Sequence, residues 1–168
     1  MKVCLISSTG GHFDELTKII PAVEEHDYFL ITEKNKSRKV DSAQGKVYFL
    51  MQQERKNAMF LLIFVANIIK SFFLYLRERP KVIITTGAGA TYPFCLIGKI
   101  FGAKLIYIES YAKIYSSSAT GRLMYKISDE FFIQWETLQD SYPNAKYRGL
   151  YFDICYRWNP AVSLQSDV

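Results

Sequence analysis

The sequence predicts an α/β fold, a Rossmann-like and doubly wound parallel sheet. Short apolar runs rich in Val, Ile, Phe and Tyr alternate with longer stretches that have helical spacing, and strands separated by helices form parallel sheets. The apolar runs are nearly continuous, as in strands that are buried on both faces. At 168 residues, the chain has the length of about one domain.

Six strands and three helices are predicted. The strands cover residues 2–7, 27–32, 46–51, 81–85, 104–108 and 130–133. The helices cover residues 13–24, 57–78 and 91–101. Residues 33–45 are polar with no apolar period, which favours an exposed loop or a short irregular helix.

The charge balance favours an anionic surface or substrate only weakly. The 21 Lys and Arg residues outnumber the 16 Asp and Glu residues, and the net charge of +5 is dispersed along the chain. The sequence has no helix-turn-helix pattern, zinc-ligand spacing or RNA-recognition motif, so we expect no nucleic-acid partner, no metal and no cofactor. Three distant cysteines, Cys4, Cys95 and Cys155, lie in or beside apolar runs, as buried thiols in a reducing compartment do. The first residues lead straight into a strand without a signal-peptide core, so we expect the chain to stay on the cytoplasmic side.

The loop after the first strand is the first candidate ligand site, because ligands in doubly wound sheets bind beyond the carboxyl ends of the strands. Gly10 and Gly11 let backbone amides approach a phosphate at a helix N-terminus, and Ser8 and Thr9 add hydroxyl donors. A turn that merely needs glycine has the same pattern. His12 adds a side chain that changes charge near cell pH and can accept a hydroxyl proton, with a capping or packing histidine as the alternative.

A dinucleotide site is an alternative interpretation of this loop. Glu33 closes the second strand about 20 residues after the glycines, where a ribose-binding acid would stand. The glycine spacing differs from GxGxxG, because Gly10 and Gly11 are adjacent and His12 follows them. NAD binding therefore ranks below a phosphate or sugar site.

The loops after the fourth and fifth strands complete the predicted site. Residues 86–90 form a second turn of small residues, in which Thr86, Gly87 and Gly89 can contact a ligand. Two such turns at neighbouring strand ends make one pocket. Glu109 ends the fifth strand, where a carboxylate that faces the pocket can bind sugar hydroxyls or orient His12; a solvated acid is the alternative.

The stretch 58–76 is a candidate membrane contact. It contains twelve Phe, Leu, Ile or Val residues and has nearly the length of a membrane span, but Asn67 and Lys70 make insertion marginal. It also occupies the crossover between two strands of one sheet, so we expect it to lie on the membrane surface rather than span it. A helix buried within the domain is the alternative.

We expect this helix to show water a polar side that is marked by Asn67, Lys70 and Ser71. Three apolar residues extend that side into a predicted membrane contact: Phe60, Ile63 and Phe64. The flanking basic residues are of the kind that helices on anionic lipid often carry: Arg55, Lys56, Arg77, Arg79 and Lys81.

Three motifs together resemble one family: residues 8–12 (STGGH), 79–87 (RPKVIITTG) and 108–110 (IES). The family is the membrane-anchoring subunit of split GT-B glycosyltransferases. It includes the eukaryotic partner of the UDP-N-acetylglucosamine transferase of lipid-linked oligosaccharide assembly, and bacterial capsule and exopolysaccharide subunits described as β-1,4-galactosyltransferase enhancers. The resemblance continues through residues 118–122, 134–135 and 142–145 to Gly149. The motif TGGH alone is also similar to the one-chain transferase that forms lipid II of peptidoglycan.

The resemblance implies half of an inverting glycosyltransferase. Residues 1–150 would form the acceptor-side domain, equivalent to the N-terminal lobe of a GT-B enzyme, and residues 151–168 a tail that can contact the partner. A separate donor-binding subunit would form the heterodimer, and a polyprenyl-diphosphate-linked saccharide would bind at the cytoplasmic face of the membrane. Galactose is the donor sugar that the bacterial members imply, and a non-catalytic membrane anchor is the alternative role.

The resemblance also assigns residue roles. His12 would act as the base and Glu109 would match the strand-end acid of the family. Arg122 would meet a phosphate, which a guanidinium binds in a bidentate manner. The remaining residues would hold the diphosphate or the acceptor sugar: Ser8, Thr9, Gly10, Gly11, Thr86, Gly87 and Gly89.

Overall fold

The described part of the chain forms a sheet of seven parallel strands. The computed structural model describes residues 1–34, 45–53 and 59–149. The strands are β1 (Lys2–Ser7), β2 (Asp27–Glu33), β3 (Lys46–Leu50), β4 (Val82–Gly87), β5 (Lys104–Ile108), β6 (Glu130–Ile133) and β7 (Lys146–Tyr147). Their order is β3-β2-β1-β4-β5-β6-β7, so the order reverses between β1 and β4. The predicted doubly wound α/β fold is confirmed.

Four α-helices within the described residues cover the sheet: α1 (Gly11–Thr17), α2 (Phe60–Glu78), α3 (Tyr92–Ile100) and α4 (Ala119–Met124). The first helix is shorter than predicted, because it ends before Pro21 and a 3-10 turn, Ile20–Ala22, follows. The sequence analysis missed α4 and β7, since neither is long enough to show an apolar period. Ser118 begins α4 as a cap, with its hydroxyl accepting from the Gly121 amide at 2.7 Å.

Two apolar clusters fill the two faces of the sheet. On one face α2 and α3 pack through Leu74 and Phe94 against Ile83. On the other face α1 packs through Phe13 and Leu16. Burial raises the pKa of the Cys4 thiol well above its ordinary value, in accord with the expected buried thiols. Cys155 lies outside the described residues.

The predicted polar side of α2 is wrong. Asn67 and Ser71 are fully buried at 0% exposure, and only Lys70 reaches solvent. The Asn67 Oδ1 accepts from the Met51 amide at 2.9 Å, and its Nδ2 donates to the Met51 carbonyl at 2.9 Å. A buried amide is costly without such partners, so this pair fixes which side of α2 faces the protein.

The outward side of α2 is apolar. Among its side chains, Leu61, Leu62 and Phe73 are 68%, 66% and 65% exposed. Of the described helices, α2 alone is long and apolar enough to cross a membrane by length and composition. It is also the crossover between β3 and β4 and packs beside α3. The flanking Arg55 and Lys56, most of the predicted loop 33–45 and the tail 151–168 lie outside the described residues.

A buried carboxylate holds the C-terminal end of α2 to the sheet. Glu78 is 5% exposed and accepts from Lys2 Nζ at 3.0 Å, from Lys46 Nζ at 2.6 Å and from the Tyr48 hydroxyl. Burial alone would raise the pKa of Glu78, but these three donors outweigh it and lower the pKa to about 2.

Candidate functional site

The turns after β1 and β4 meet at the carboxyl edge of the sheet, as the sequence predicts. The Thr86 Oγ1 donates to the carbonyl oxygen of His12 at 2.7 Å. The Ser8 amide donates to the carbonyl oxygen of Gly87 at 3.3 Å. The strand order reverses between β1 and β4, which is where ligands bind in doubly wound sheets.

Both turns depend on residues with positive φ. Gly10 precedes α1 with φ 82°. Gly87 has φ 101° and passes so close to Tyr107 that a Cβ atom would lie 2.7 Å from the phenol oxygen. Ala88 has φ 85°, a conformation that costs a residue with a side chain about 1–3 kcal/mol. Strain of this kind concentrates at ligand-binding sites.

A cleft of about 790 Å³ opens beyond the two turns. Three of the proposed site residues line it: Ser8 and Gly89, proposed to bind the substrate, and His12, proposed to be catalytic. Thr86 and Gly87 are buried behind the lining residues and do not themselves line the cleft. Four residues that were also expected to bind a ligand are not among its lining residues: Thr9, Gly10, Gly11 and Arg122.

The cation at the cleft is Lys113 rather than Arg122. Arg122 is exposed, and its Nη1 donates to the carbonyl oxygen and Oγ of Ser117 at 3.3 and 3.1 Å. Lys113 is half-buried and lines the cleft, as do Ser118 and Thr120. Sequence reasoning missed Lys113, because it lies in an irregular segment without a motif.

His12 is half-buried in the wall of the cleft as the second residue of α1. Its Nδ1 atom is buried and has no hydrogen-bond partner among the described residues. A neutral imidazole accepts through one ring nitrogen and donates through the other. Because Nδ1 is buried, only the other ring nitrogen could accept a proton from a ligand in the cleft, and the role of His12 as the base stays a prediction.

Glu109 does not face the cleft. It is 0% exposed, and its Oε2 accepts from the Tyr142 hydroxyl at 2.7 Å and from the Ser118 Oγ at 3.1 Å. Its Oε1 accepts from the Ser110 amide at 3.1 Å and the Tyr107 hydroxyl at 3.3 Å. The expectation that this carboxylate faces the pocket or orients His12 is wrong, because the surrounding donors occupy its oxygens. The structure instead shows Glu109 fixing Ser118 at the edge of the cleft.

The buried acid on the same helix as His12 is Glu15, which sequence reasoning missed. Glu15 is 7% exposed and accepts from the Ser110 Oγ at 3.0 Å and the Tyr111 amide at 3.2 Å, joining α1 to the loop after β5. Burial raises the pKa of Glu15, while those hydrogen bonds and the charge of His12 act in the opposite direction. The available signal was its position one turn after His12, among apolar residues that pack on the sheet.

Phe60 and Phe64 line the cleft, and each is half-buried. Their ring centroids are 6.4 Å apart and the rings are nearly parallel, at 2°. The sequence analysis placed them, with the half-buried Ile63, at a membrane contact. The most exposed apolar residues of α2 are others, such as Leu61, Leu62 and Phe73, whereas Phe60 and Phe64 line the cleft.

The cleft can hold an amphipathic, anionic ligand. Lys113 supplies a positive charge, and His12 and Ser8 supply hydrogen-bonding groups. The carboxylate of Glu33 also lines the cleft, and its Oε1 accepts from the Gln53 amide at 2.9 Å. The aromatic pair offers an apolar wall. Within residues 1–34, 45–53 and 59–149, no group of three or more His, Cys, Asp or Glu side chains is arranged to hold a metal ion.

Comparison with known proteins identifies relatives over most of the chain. The family model "Oligosaccharide biosynthesis protein Alg14 like" matches residues 3–151. The UDP-N-acetylglucosamine transferase subunit ALG14 of Rattus norvegicus is 24% identical over an alignment of 175 positions. The alignment covers 86% of this chain and 80% of that protein. The Candida albicans subunit of the same name is 28% identical over 171 residues, 89% of this chain and 77% of that protein.

Solved structures show the same fold at low sequence identity. MurG of Acinetobacter baumannii aligns with a TM-score of 0.70 and 11% identity, over 89% of this chain and 45% of MurG. The UDP-N-acetylglucosamine 2-epimerase of Rickettsia bellii aligns with a TM-score of 0.69 and 16% identity, over 99% of this chain and 49% of the epimerase. The chain thus spans less than half of either structure and has the Rossmann-like fold of an N-terminal GT-B lobe. With a family model that matches residues 3–151, the chain belongs to the Alg14-like family of oligosaccharide biosynthesis proteins.

Proposed function

We propose that this chain is the acceptor-side, membrane-recruiting subunit of a heteromeric glycosyltransferase. The observation that carries the proposal is the family membership, since relatives that match over most of their length are named as subunits of a UDP-N-acetylglucosamine transferase. We infer that the partner of this chain is a separate subunit that binds the sugar nucleotide.

The acceptor that fits the cleft best is a polyprenyl-diphosphate-linked saccharide. Lys113 and the hydroxyl of Ser8 suit a diphosphate, and Phe60 and Phe64 suit the first isoprene units of the lipid. The aromatic pair lies on the same helix as the exposed apolar residues Leu61 and Leu62, so a lipid in the cleft could continue onto that apolar side. The proposed location is the cytoplasmic face of the membrane, with α2 lying in the lipid surface.

The proposed reaction is an inverting transfer in which this chain supplies the base. His12 accepts the proton of the acceptor hydroxyl, and the oxygen of that hydroxyl forms a bond to the anomeric carbon of the donor sugar. The bond between that carbon and the UDP oxygen breaks, and UDP leaves with the electron pair. General-base catalysis of this kind contributes about 10²–10⁴ in rate.

The donor sugar is the finer part of the proposal. The names of the relatives favour UDP-N-acetylglucosamine as the first donor to test. Galactose, which the likeness to bacterial capsule and exopolysaccharide subunits implies, is the second. Both belong in the same assay, because the donor is selected by the partner and not by this cleft.

The test is reconstitution with the partner subunit, for which a short α/β protein encoded beside this chain is the first candidate. The chain alone should transfer no sugar to a polyprenyl-diphosphate saccharide, whereas the complex should do so. Robust transfer by the chain alone would refute the two-subunit proposal.

His12→Ala in the complex separates a catalytic subunit from a passive anchor. We expect kcat to fall by about 10²-fold or more, because the base is lost. His26→Ala is the matched control, since His26 is exposed outside the cleft lining and should leave kcat unchanged. Full activity of the His12 variant would favour a non-catalytic membrane anchor, which the apolar side of α2 suits equally well. A titration of the chain with NAD checks the oxidoreductase alternative. Saturable binding of NAD would support that alternative.

A further inference from the structure

A second pocket lies at the other end of α2 from the cleft. Its volume is about 610 Å³, and its lining includes Tyr75, Arg79, Lys81 and Phe101. The cleft residue Phe60 begins α2, whose 19 residues at 1.5 Å per residue separate the two sites by roughly 28 Å. Nothing in the proposed transfer reaction uses this pocket.

The pocket carries two cations without ion-pair partners. Arg79 and Lys81 are both exposed and form no ion pair within the described part of the chain. Four acids at this end of the sheet already have lysine partners: Asp27, Glu78, Asp129 and Glu130. Arg79 and Lys81 therefore present uncompensated positive charge to any ligand in the pocket.

The backbone holds Arg79 in place. Arg79 ends α2 in the left-handed conformation, with φ 45°. Its amide donates to the carbonyl oxygen of Tyr75 at 2.8 Å, and its Nε donates to that of Leu76 at 3.1 Å. The last carbonyl groups of the helix thus fix the guanidinium, whose remaining N–H groups are left for a ligand.

The rim of the pocket is apolar and continues the outward side of α2. The Phe101 ring lies 5.3 Å from the Tyr75 ring and 6.3 Å from the Phe72 ring, so it joins α3 to α2. Phe101 is 53% exposed and its neighbour Ile100 is 72% exposed. Basic groups beside such a surface complement an anionic headgroup with acyl chains next to it.

We propose that this pocket binds the phosphate headgroup of an anionic phospholipid, with the acyl chains on the apolar rim. The inference rests on the proposed membrane location and adds a lipid class and a site to it. An anionic peptide would match the charges but not the exposed rim, which is continuous with the whole outward side of α2. Lipid bound at this end and the apolar surface along the helix would hold α2 flat, with the mouth of the cleft at the lipid surface.

The test is flotation of the purified full chain with vesicles of phosphatidylcholine, with and without phosphatidylglycerol. A basic residue near an anionic surface contributes about 1 kcal/mol, which is about fivefold in partitioning. The double variant Arg79→Gln/Lys81→Gln should therefore lose about 30-fold in partitioning into the anionic vesicles and little into the neutral ones. Lys81→Gln alone should lose about fivefold, and it leaves the helix end intact.

The matched control is Lys126→Gln/Arg148→Gln, which removes the same charge from exposed positions outside this pocket. An equal loss of partitioning in this control would mean that the overall charge attracts the chain to the vesicles. It would overturn the proposal that this pocket binds the headgroup. Equal binding of wild type to both vesicle types would overturn it as well, while leaving membrane docking through α2 in place. Failure of wild type to bind any vesicle would refute the proposed membrane location itself.

Discussion

Replacing Glu109 tests whether the buried acid is structural or catalytic. In Glu109→Ala, the hydroxyls of Tyr107 and Tyr142 lose their acceptor, and both side chains are only 1% exposed. An unsatisfied buried polar group costs about 1–3 kcal/mol, so these two cost about 2–6 kcal/mol. That is a large part of the usual 5–15 kcal/mol of stability, and the variant should be largely unfolded at moderate urea concentrations.

Glu109→Gln is the sharper variant, because it keeps the shape of the side chain. One carboxylate oxygen becomes an NH₂ group that faces donors, so we expect a loss of about 1–3 kcal/mol in the free energy of unfolding. The assay is urea unfolding followed by circular dichroism. Glu136→Gln, at an exposed position, is the control and should change stability by less than about 0.5 kcal/mol.

A second substitution, at Gly121, also disturbs the Glu109 carboxylate. A Cβ atom at Gly121 would overlap the Glu109 carboxylate and the Tyr142 hydroxyl. Gly121→Ala should therefore cost about 1–3 kcal/mol by overpacking. The reasoning is refuted if Glu109→Gln unfolds like wild type and yet lowers kcat of the reconstituted complex by about 10³-fold, since that is the signature of a group that touches the substrate.

Three further predictions concern α2 and its ends. Phe73→Asp should lower partitioning into neutral vesicles at least about tenfold, because it removes apolar burial worth about 1.5–3 kcal/mol, and unchanged flotation would contradict the membrane role of this side. Asn67→Leu should cost about 1–3 kcal/mol in urea unfolding by leaving the Met51 backbone groups unpaired, whereas Lys70→Leu should cost less than about 0.5 kcal/mol. The pKa of Glu78 is lowered to about 2 from an ordinary 4.5, so its stabilising contribution is complete above the unfolded pKa and is lost as the pH falls from 4.5 toward 2. Urea unfolding across that range should show a smaller loss of stability in Glu78→Gln than in wild type, and identical pH profiles would count against the Glu78 cluster.

The local hydrophobic pattern was enough to predict six of the seven described strands. The bounds of β1, β5 and β6 agree with the sequence analysis, and those of β2, β3 and β4 differ by one or two residues. Continuous apolar runs mark strands buried on both faces, and this signal needs no information about distant residues. The meeting of the turns after β1 and β4 followed from topology in the same way.

Contacts between distant residues decided the rest. Both sides of α2 are rich in apolar residues, so periodicity could not say which side faces the protein; the pairing of Asn67 with the Met51 backbone decided it. Glu109 and Glu15 are both acids at predicted element ends, and only the positions of Tyr142 and Ser110 show how each is buried. The sequence by itself determined six of the strands and the edge at which the turns after β1 and β4 meet, because these depend on local hydrophobic pattern and on the order of strands and helices. The tertiary structure decided helix rotation and acid burial, because a buried polar group is stable only where remote donors or acceptors satisfy it.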